Sequence, residues 1–161
     1  MDIEYKFTEM IKNNEGTIYK IILSYTDDSY AIQDLYQEVV YQLWKSFTSF
    51  KGEAKVNTWL YRVVLNTVLT KHRNDSRRMK KKEDFLSIKF DYAYDHELDE
   101  KIKKLYKAIY TLNDIDKAII MLHLESKSHK EISEIIGIST TNVGTRISRI
   151  KSKLFNKIQK L

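Results

Sequence analysis

An apolar stripe with helical spacing runs through residues 32–44, and it constrains the fold more than any other feature of the sequence. Its positions fall at i, i+3, i+4, i+7, i+8, i+11 and i+12. Side chains at this spacing lie on one side of an α-helix, so the segment must bury that side against a partner. Asp27, Asp28 and Ser29 precede the stripe and predict its N-terminal cap. The stripe consists of Ile32, Leu35, Tyr36, Val39, Val40, Leu43 and Trp44.

Similar stripes extend the helical prediction over most of the chain. Proline is absent and glycine occurs four times in 161 residues, whereas β architectures with tight turns need more of both. The sequence therefore predicts an all-α fold. The predicted helices cover residues 5–25 and 32–44, restart at Val56 with Asn57 as cap, and continue near 102–109, 118–122, 128–136 and 140–154. The inward face predicted for the third helix is Val56, Trp59, Leu60, Val63, Val64 and Thr67.

The charge pattern divides the chain into two modules and a linker. The net charge of +6 is concentrated in residues 71–82, with 7 basic and 1 acidic side chains, and in residues 101–161, with 13 and 5. Residues 83–100 hold 1 basic and 7 acidic side chains with weak apolar periodicity, which is typical of a flexible linker. We expect helical modules at 1–78 and 98–161, joined by a linker at 79–97. Two basic regions indicate polyanion contact at two places.

Several function classes are disfavoured by the residue types present. Cysteine is absent, which excludes disulfide scaffolds, thiolate zinc sites and thiol nucleophiles. The four histidines are scattered, and no P-loop motif occurs, so we expect no catalytic residue, no metal and no cofactor. No apolar run approaches the roughly 20 residues of a membrane span, and the start MDIEYKFTEM lacks a signal-peptide core. We therefore expect a cytoplasmic chain without membrane insertion.

The C-terminal stretch KSHKEISEIIGISTTNVGTRISRIKSK has the spacing of a helix-turn-helix. Ser128 and Glu131 form a capping box, Gly137 suits a left-handed helix end, Ser139 caps the next helix, and Ser133 is the small residue at the crossing. The second helix of such a motif enters the major groove, where arginine, asparagine and hydroxyl groups bind bases and phosphates. The outward face predicted for the last helix carries Thr140, Thr141, Asn142, Thr145, Arg146, Arg149, Lys151 and Lys153.

A polar face on the second helix is the first binding feature of the N-terminal module. Asp34 and Glu38 are four residues apart and share a face with Gln37. No histidine or third carboxylate accompanies them at the spacing of a bundle metal site. The pattern favours a face that is solvated or binds a partner.

The loop before the third helix is the second binding feature. Phe47 and Phe50 stand beside Lys51 and Lys55, and aromatic side chains interleaved with basic ones suit unstacked single-stranded bases. The alternative, that the two phenylalanines only close the core, stays open. Arg62, Asn66 and Arg73 share a face of the third helix near Arg77 and Arg78.

Three blocks of sequence resemble bacterial sigma factors of the extracytoplasmic-function (ECF) group. They are DLYQEVVYQLW at 34–44, FKGEAKVNTWLYRVVLN at 50–66, and the stretch from LNDIDKAII to KSKL at 112–154. They occur in the family's order and spacing. The resemblance covers both modules and leaves out only the linker.

The resemblance implies a promoter-specificity subunit of RNA polymerase. Asp34, Gln37 and Glu38 would contact the clamp helices of the largest subunit, and the C-terminal module would bind the −35 element and the flap of the other large subunit. An anti-sigma factor is a further implied partner. The −10 element, captured as single-stranded bases, would meet Phe50, Lys51, Gly52, Glu53, Lys55, Arg62, Asn66 and Arg73.

Two departures from the family pattern bear on these expectations. Gly144 stands where many relatives carry a basic residue, and Tyr36 and Tyr41 replace an aliphatic residue and a phenylalanine.

Other functions fit parts of the sequence. A helix-turn-helix regulator that acts without stable polymerase association is the main alternative, but it has no use for the aromatic and basic loop. A pure interaction protein would leave the basic helix face unexplained.

Overall fold

A computed structural model describes residues 2–78 and 96–161, with side chains described for 2–75 and 99–161. Every regular element in these ranges is an α-helix, which confirms the all-α prediction. The helices are α1 Ile3–Leu23, α2 Ser29–Phe47, α3 Val56–Arg78, α4 His96–Tyr110, α5 Asp114–Leu124, α6 His129–Ile136 and α7 Thr140–Gln159.

The helices form two compact units, the first with α1 to α3 and the second with α4 to α7. This agrees with two helical modules. Most of the predicted linker at 79–97, up to residue 95, lies outside the described residues, as do the side chains of Arg77 and Arg78. The exact module boundaries stay a prediction.

In the first unit, α2 packs against both α1 and α3. The centre of its apolar stripe is buried at Leu35, Val39 and Leu43, so the periodicity identified the correct face. Asp28 caps α2 as predicted, since its Oδ1 accepts hydrogen bonds from the backbone N–H groups of Tyr30 (2.8 Å) and Ala31 (3.1 Å). The cap satisfies donors that the first turn of a helix leaves unpaired.

The start of α3 corrects two predictions. Helix α3 begins at Val56, and the carbonyl of Lys55 accepts the bond from Trp59 N at 3.1 Å. Asn57 therefore lies inside the first turn and is not the cap. Val56, predicted to face inward, is 46% exposed. The predicted Trp59, Val63 and Thr67 are half-buried, because the buried face is shifted by about one residue towards Tyr61, Leu65 and Val68. The buried side chains of α3 are Thr58, Leu60, Tyr61, Val64, Leu65 and Val68.

In the second unit, α5 and α7 each pack against the other three helices. Every residue from Asp116 to Leu122 is buried. A helix buried on all sides is apolar on most of its faces, and the run Ala118–Leu122 meets this requirement. Helix α5 therefore supports the helix-turn-helix formed by α6 and α7.

Candidate nucleic-acid and partner interfaces

The polar face of α2 is accessible on the first unit. Asp34 and Gln37 are exposed and Glu38 is half-buried. The amide of Gln42 donates to Glu38 Oε1 at 2.9 Å, and Lys71 from α3 donates to Asp34 Oδ2 at 2.6 Å. The face therefore offers carboxylate and amide groups to a partner, with one oxygen of each carboxylate already engaged within the unit.

A polar groove joins this face to α3. Its walls include Glu38 and Gln42 from α2 and Asn66, Thr70 and Asn74 from α3. The sequence assigned Glu38 and Asn66 to different partners, and the structure places both along one groove. Arg62, Asn66 and Arg73 are all exposed, so the three side chains predicted on α3 are open to solvent.

An aromatic cluster supports the loop between α2 and α3. The ring of Phe47 lies 5.4 Å from that of Phe7 and 6.1 Å from that of Trp59. Phe50 lies 5.0 Å from Trp59 and is half-buried. Phe47, whose ring contacts two others, is thus part of the packing between helices, while Phe50 lies at the edge of the cluster with one such contact. Both residues are half-buried.

The loop itself is exposed at its basic residues. Lys51, Glu53 and Lys55 are exposed, and so is Gly52, whose φ of 72° lies in the left-handed region. A side chain other than glycine is strained at this φ. The glycine therefore shapes a turn that keeps the charged side chains outside the core.

The helix-turn-helix has the predicted caps and turn. Ser128 and Glu131 form the reciprocal capping box, and Gly137 ends α6 with a φ of 83°. Ser139 accepts from Asn142 N at 3.2 Å and caps α7. Ser133 Oγ donates to the Ile138 carbonyl at 2.5 Å, so this small side chain fixes the turn as well as allowing the close approach.

Helix α7 presents seven of its eight predicted contact residues as exposed side chains. Its inner face is buried through Val143, Ile147, Ile150 and Leu154. Arg146 is the exception, being half-buried. The exposed seven are Thr140, Thr141, Asn142, Thr145, Arg149, Lys151 and Lys153.

Asp116 is a site residue that the sequence analysis missed. Its side chain is 7% exposed, and Oδ1 accepts from Arg146 Nη1 at 2.9 Å. Lys153 Nζ lies 3.9 Å from Oδ2 of the same carboxylate. The spacing of Asn113 and Asp116 predicts a helix cap, but the pairing with a residue 30 positions later has no local signal.

Burial shifts the pKa of several groups. Desolvation raises the pKa of Tyr106 to about 12, with a smaller effect from Glu125. Desolvation, then Glu15 and Tyr19, raise that of Tyr36 to about 12. Both hydroxyls therefore stay protonated at a pH at which an ordinary tyrosine ionises. The Tyr36 ring stacks on that of Tyr19, with the ring centroids 4.5 Å apart, and the Tyr36 hydroxyl donates to Glu15 at 3.3 Å. Tyr36, which departs from the family pattern, therefore has a stacking partner and a hydrogen-bond partner in the first unit.

Gly144, the other departure from the family pattern, faces α6. A Cβ built there would lie 3.5 Å from the His129 ring, which is ordinary van der Waals contact. His129 therefore occupies the space beside Gly144.

Within the part of the chain that the structure describes, no group of three potential ligands could hold a metal ion, and no helix is long and apolar enough to span a bilayer.

Comparison with known families and proteins gives matches over both units. The Sigma-70 region 2 family matches residues 10–78, and the Sigma-70 region 4 family matches residues 102–154. The ECF RNA polymerase sigma-E factor of Haemophilus influenzae is 30% identical over 81% of this chain and 76% of its own length. The RNA polymerase sigma factor YlaC of Bacillus subtilis is 25% identical over 96% and 95%.

Solved structures show the same fold. The sigma factor RpoE of Bartonella quintana, in complex with the anti-sigma factor NepR, has a TM-score of 0.75 at 17% identity, covering 96% of this chain and 97% of its own. CnrH, in complex with the cytosolic domain of CnrY, has a TM-score of 0.72 at 16% identity, and the match covers 98% of this chain and 90% of CnrH.

Proposed function

The chain belongs to the ECF group of the sigma-70 family, and on that premise we propose that it binds core RNA polymerase, recognises −35 and −10 promoter elements, and helps to open the duplex. The observation that carries the proposal is the division of binding surfaces between two units. An exposed acidic and polar face with an aromatic and basic loop belongs to the first, and a capped helix-turn-helix belongs to the second.

The first unit docks on the polymerase through Asp34, Gln37 and Glu38, which meet the clamp helices of the largest subunit. The exposure of Asp34 and Gln37 supports this role. The second unit meets the flap of the other large subunit. Both contacts are with the same polymerase, so each makes the other effectively intramolecular and neither must be tight alone.

The loop between α2 and α3 captures bases of the −10 element once they unstack. Phe50, Lys51, Gly52, Glu53 and Lys55 form this loop, and its exposed cations and half-buried ring support the role. Stacking on an aromatic side chain contributes about 1–3 kcal/mol per base. That is comparable with the few kcal/mol needed to extrude a base, so duplex opening needs no nucleotide hydrolysis.

The exposed face of α7 reads the −35 element in the major groove. Hydroxyl, amide and guanidinium groups on one helix face match base edges and phosphates. The chain acts as a regulatory subunit in the cytoplasm, without catalytic residues or cofactor. An anti-sigma factor is a further partner, as for the sigma factor RpoE of similar fold.

A reconstitution experiment tests the proposal. Purified chain is mixed with core polymerase and a promoter library, and transcribed promoters are sequenced. We expect two short elements at fixed spacing, and weak DNA binding by the chain without polymerase. Selection of a palindrome by the chain alone would contradict the proposal and favour a regulator that acts without polymerase.

A triple variant tests the docking face. Asp34→Ala, Gln37→Ala and Glu38→Ala together should weaken polymerase binding at least tenfold and leave the far-UV circular dichroism unchanged. The control replaces the exposed α1 ion pair of Glu9 and Lys12 with alanines. Equal polymerase affinity for the triple variant and this control would show that the face is misassigned.

A further inference from the structure

A hydrogen-bonded chain of side chains links the start of α5 to the outward face of α7. Asn113 Nδ2 donates to Asp116 Oδ2 at 2.8 Å, and Arg146 Nη1 donates to Asp116 Oδ1 at 2.9 Å. Arg146 Nε then donates to Asn142 Oδ1 at 3.3 Å. A buried carboxylate is thus connected through one guanidinium to an exposed amide on the proposed recognition helix.

The carboxylate of Asp116 is held firmly enough to fix Arg146. Asp116 is 5% exposed, and its backbone N–H donates to Asn113 Oδ1 at 2.9 Å, so both ends of the residue are tied to the helix cap. A guanidinium has its donors in a rigid planar fork. With Nη1 bonded to Asp116 and Nε to Asn142, the plane of the fork and the direction of Nε are set together.

This geometry separates Arg146 from the other arginine of α7. Two Arg146 donors, Nη1 and Nε, are engaged within the protein, and its side chain is 34% exposed. Arg149, in contrast, is exposed on the same helix. Arg146 therefore has fewer free donors to offer a base than the sequence pattern indicates.

We infer that Asp116 and Arg146 are positioning residues that orient the amide of Asn142 for readout of the −35 element. The inference rests on the proposed function and adds which side chains hold the base-contacting amide in place. Arg146 engages Asn142 Oδ1, so the amide turns its NH2 group away from Arg146 and towards the outer face of α7.

The orientation of Asn142 selects a class of base. An asparagine that reads adenine uses both its oxygen and its NH2 group, whereas guanine presents two acceptors, N7 and O6, in the major groove. With one of the two lone pairs of Oδ1 occupied by Arg146, the free NH2 group makes Asn142 act mainly as a donor. It favours guanine, or thymine through O4, over cytosine, whose exposed group is an N4 donor.

The experiment measures promoter preference in reconstituted polymerase with a library randomised upstream. Asn142→Ala should lower the preference at one position by roughly three- to tenfold. Arg146→Lys and Asp116→Asn should lower it at that same position, since the loss acts through Asn142. Combined with Asn142→Ala, either change should add little, because coupled residues give non-additive effects.

A variant that replaces the amide donors of Asn142 by acceptors gives an independent test, which does not depend on the stability of Asp116→Asn. Asn142→Asp keeps the bond from Arg146 but presents only acceptors to the groove. It should shift the preference at that position from guanine or thymine towards cytosine. Hydrogen exchange of α7 amides, measured in each full-length variant, separates a local change in orientation from unfolding.

Three outcomes overturn the inference. In one, Arg146→Lys relaxes the base preference at a different promoter position from the one that Asn142→Ala affects. Arg146 would then contact a base itself. In another, Arg146→Lys weakens all sequences equally and lowers the salt dependence, as loss of a phosphate contact would. In the third, Asn142→Asp retains the parent's preference. If Asn142→Ala and Arg149→Ala both leave the upstream element unchanged, the proposed function fails at α7 itself.

Discussion

The Nζ atom of Lys71 on α3 lies 2.6 Å from Oδ2 of Asp34 on α2. The pair links two helices of the first unit and occupies one oxygen of a carboxylate on the proposed polymerase face. The side chain of Asp34 is 67% exposed, so water screens the attraction, and such pairs contribute about 0–1 kcal/mol to stability. A cation of a partner would compete with Lys71 for Asp34.

The first prediction is that Lys71→Met strengthens polymerase binding. Methionine keeps most of the apolar stem and releases the carboxylate, so affinity should rise by a few fold at low salt and less at high salt. Lys20→Met on α1 is the control for a change in net charge. The measurement is a titration of fluorescently labelled chain with core polymerase. Weaker binding by Lys71→Met than by the control would mean that Lys71 itself contacts the polymerase.

The second prediction concerns the loop after α2. Replacing residues 51–55 with the loop of a relative that prefers another −10 sequence should transfer that preference. Polymerase affinity and the upstream footprint should not change, because those surfaces lie on α2 and α7. A swapped protein that keeps the parent's promoter choice would show that the loop does not read the −10 element.

Phe50 needs its own test, since its ring lies 5.0 Å from Trp59. Phe50→Ala should impair promoter opening while lowering stability by less than the roughly 3–5 kcal/mol of a fully buried phenylalanine. Promoter opening is followed by permanganate footprinting and stability by urea unfolding. A stability loss in that full range, with normal opening, would assign Phe50 to the core.

The fold was predictable where one face of a helix is buried and both ends have local capping signals. The α2 stripe, the Ser128 box and Gly137 all act over a few residues, so periodicity and turn chemistry identify them. The inward prediction for Val56 was wrong because periodicity gives the spacing of a buried face but does not show whether a neighbouring helix covers the first turn.

The candidate site was predictable as a set of exposed polar residues but not as a network. The sequence placed Arg146 on the outward face with Arg149, and the two differ because only Arg146 meets a buried carboxylate. That carboxylate belongs to Asp116, on another helix and 30 positions earlier. The pair of Lys71 and Asp34 likewise joins two helices, and residue spacing within one helix cannot predict it.

The fourth prediction compares two glycines of the second unit. Gly137→Ala should destabilise that unit by about 1–2 kcal/mol, because alanine is strained in the left-handed region, where Gly137 has a φ of 83°. Gly144→Ala should stabilise it by about 0.5–1 kcal/mol, since Gly144 is inside a helix and its added Cβ would meet His129 at 3.5 Å.

The two glycine variants are compared by urea unfolding of the full chain. Trp44 and Trp59 both lie in the first unit, so tryptophan fluorescence reports that unit and serves as the internal control. Far-UV circular dichroism reports both units. Equal shifts of the circular dichroism transition for the two alanine variants would contradict the assigned backbone conformations.

The last prediction is a pH dependence that originates at His123, in the last turn of α5. Desolvation, followed by Lys151 on α7 and His129 on α6, lowers the pKa of His123 below its usual 6.5. The unfolded chain therefore binds a proton at a higher pH than the folded chain does. It follows that His123 costs no stability above pH 6.5 and destabilises the second unit as the pH falls through 6.5 towards the lowered pKa. His123→Gln should weaken this acid dependence, and Lys151→Met should reduce it partly by removing the positive charge of Lys151. The measurement is urea unfolding followed by circular dichroism between pH 5 and 8, with an NMR titration of the His123 ring. A ring that titrates above 6.5, or an unfolding midpoint with the same pH dependence in His123→Gln as in the parent, would show that this imidazole is not the origin.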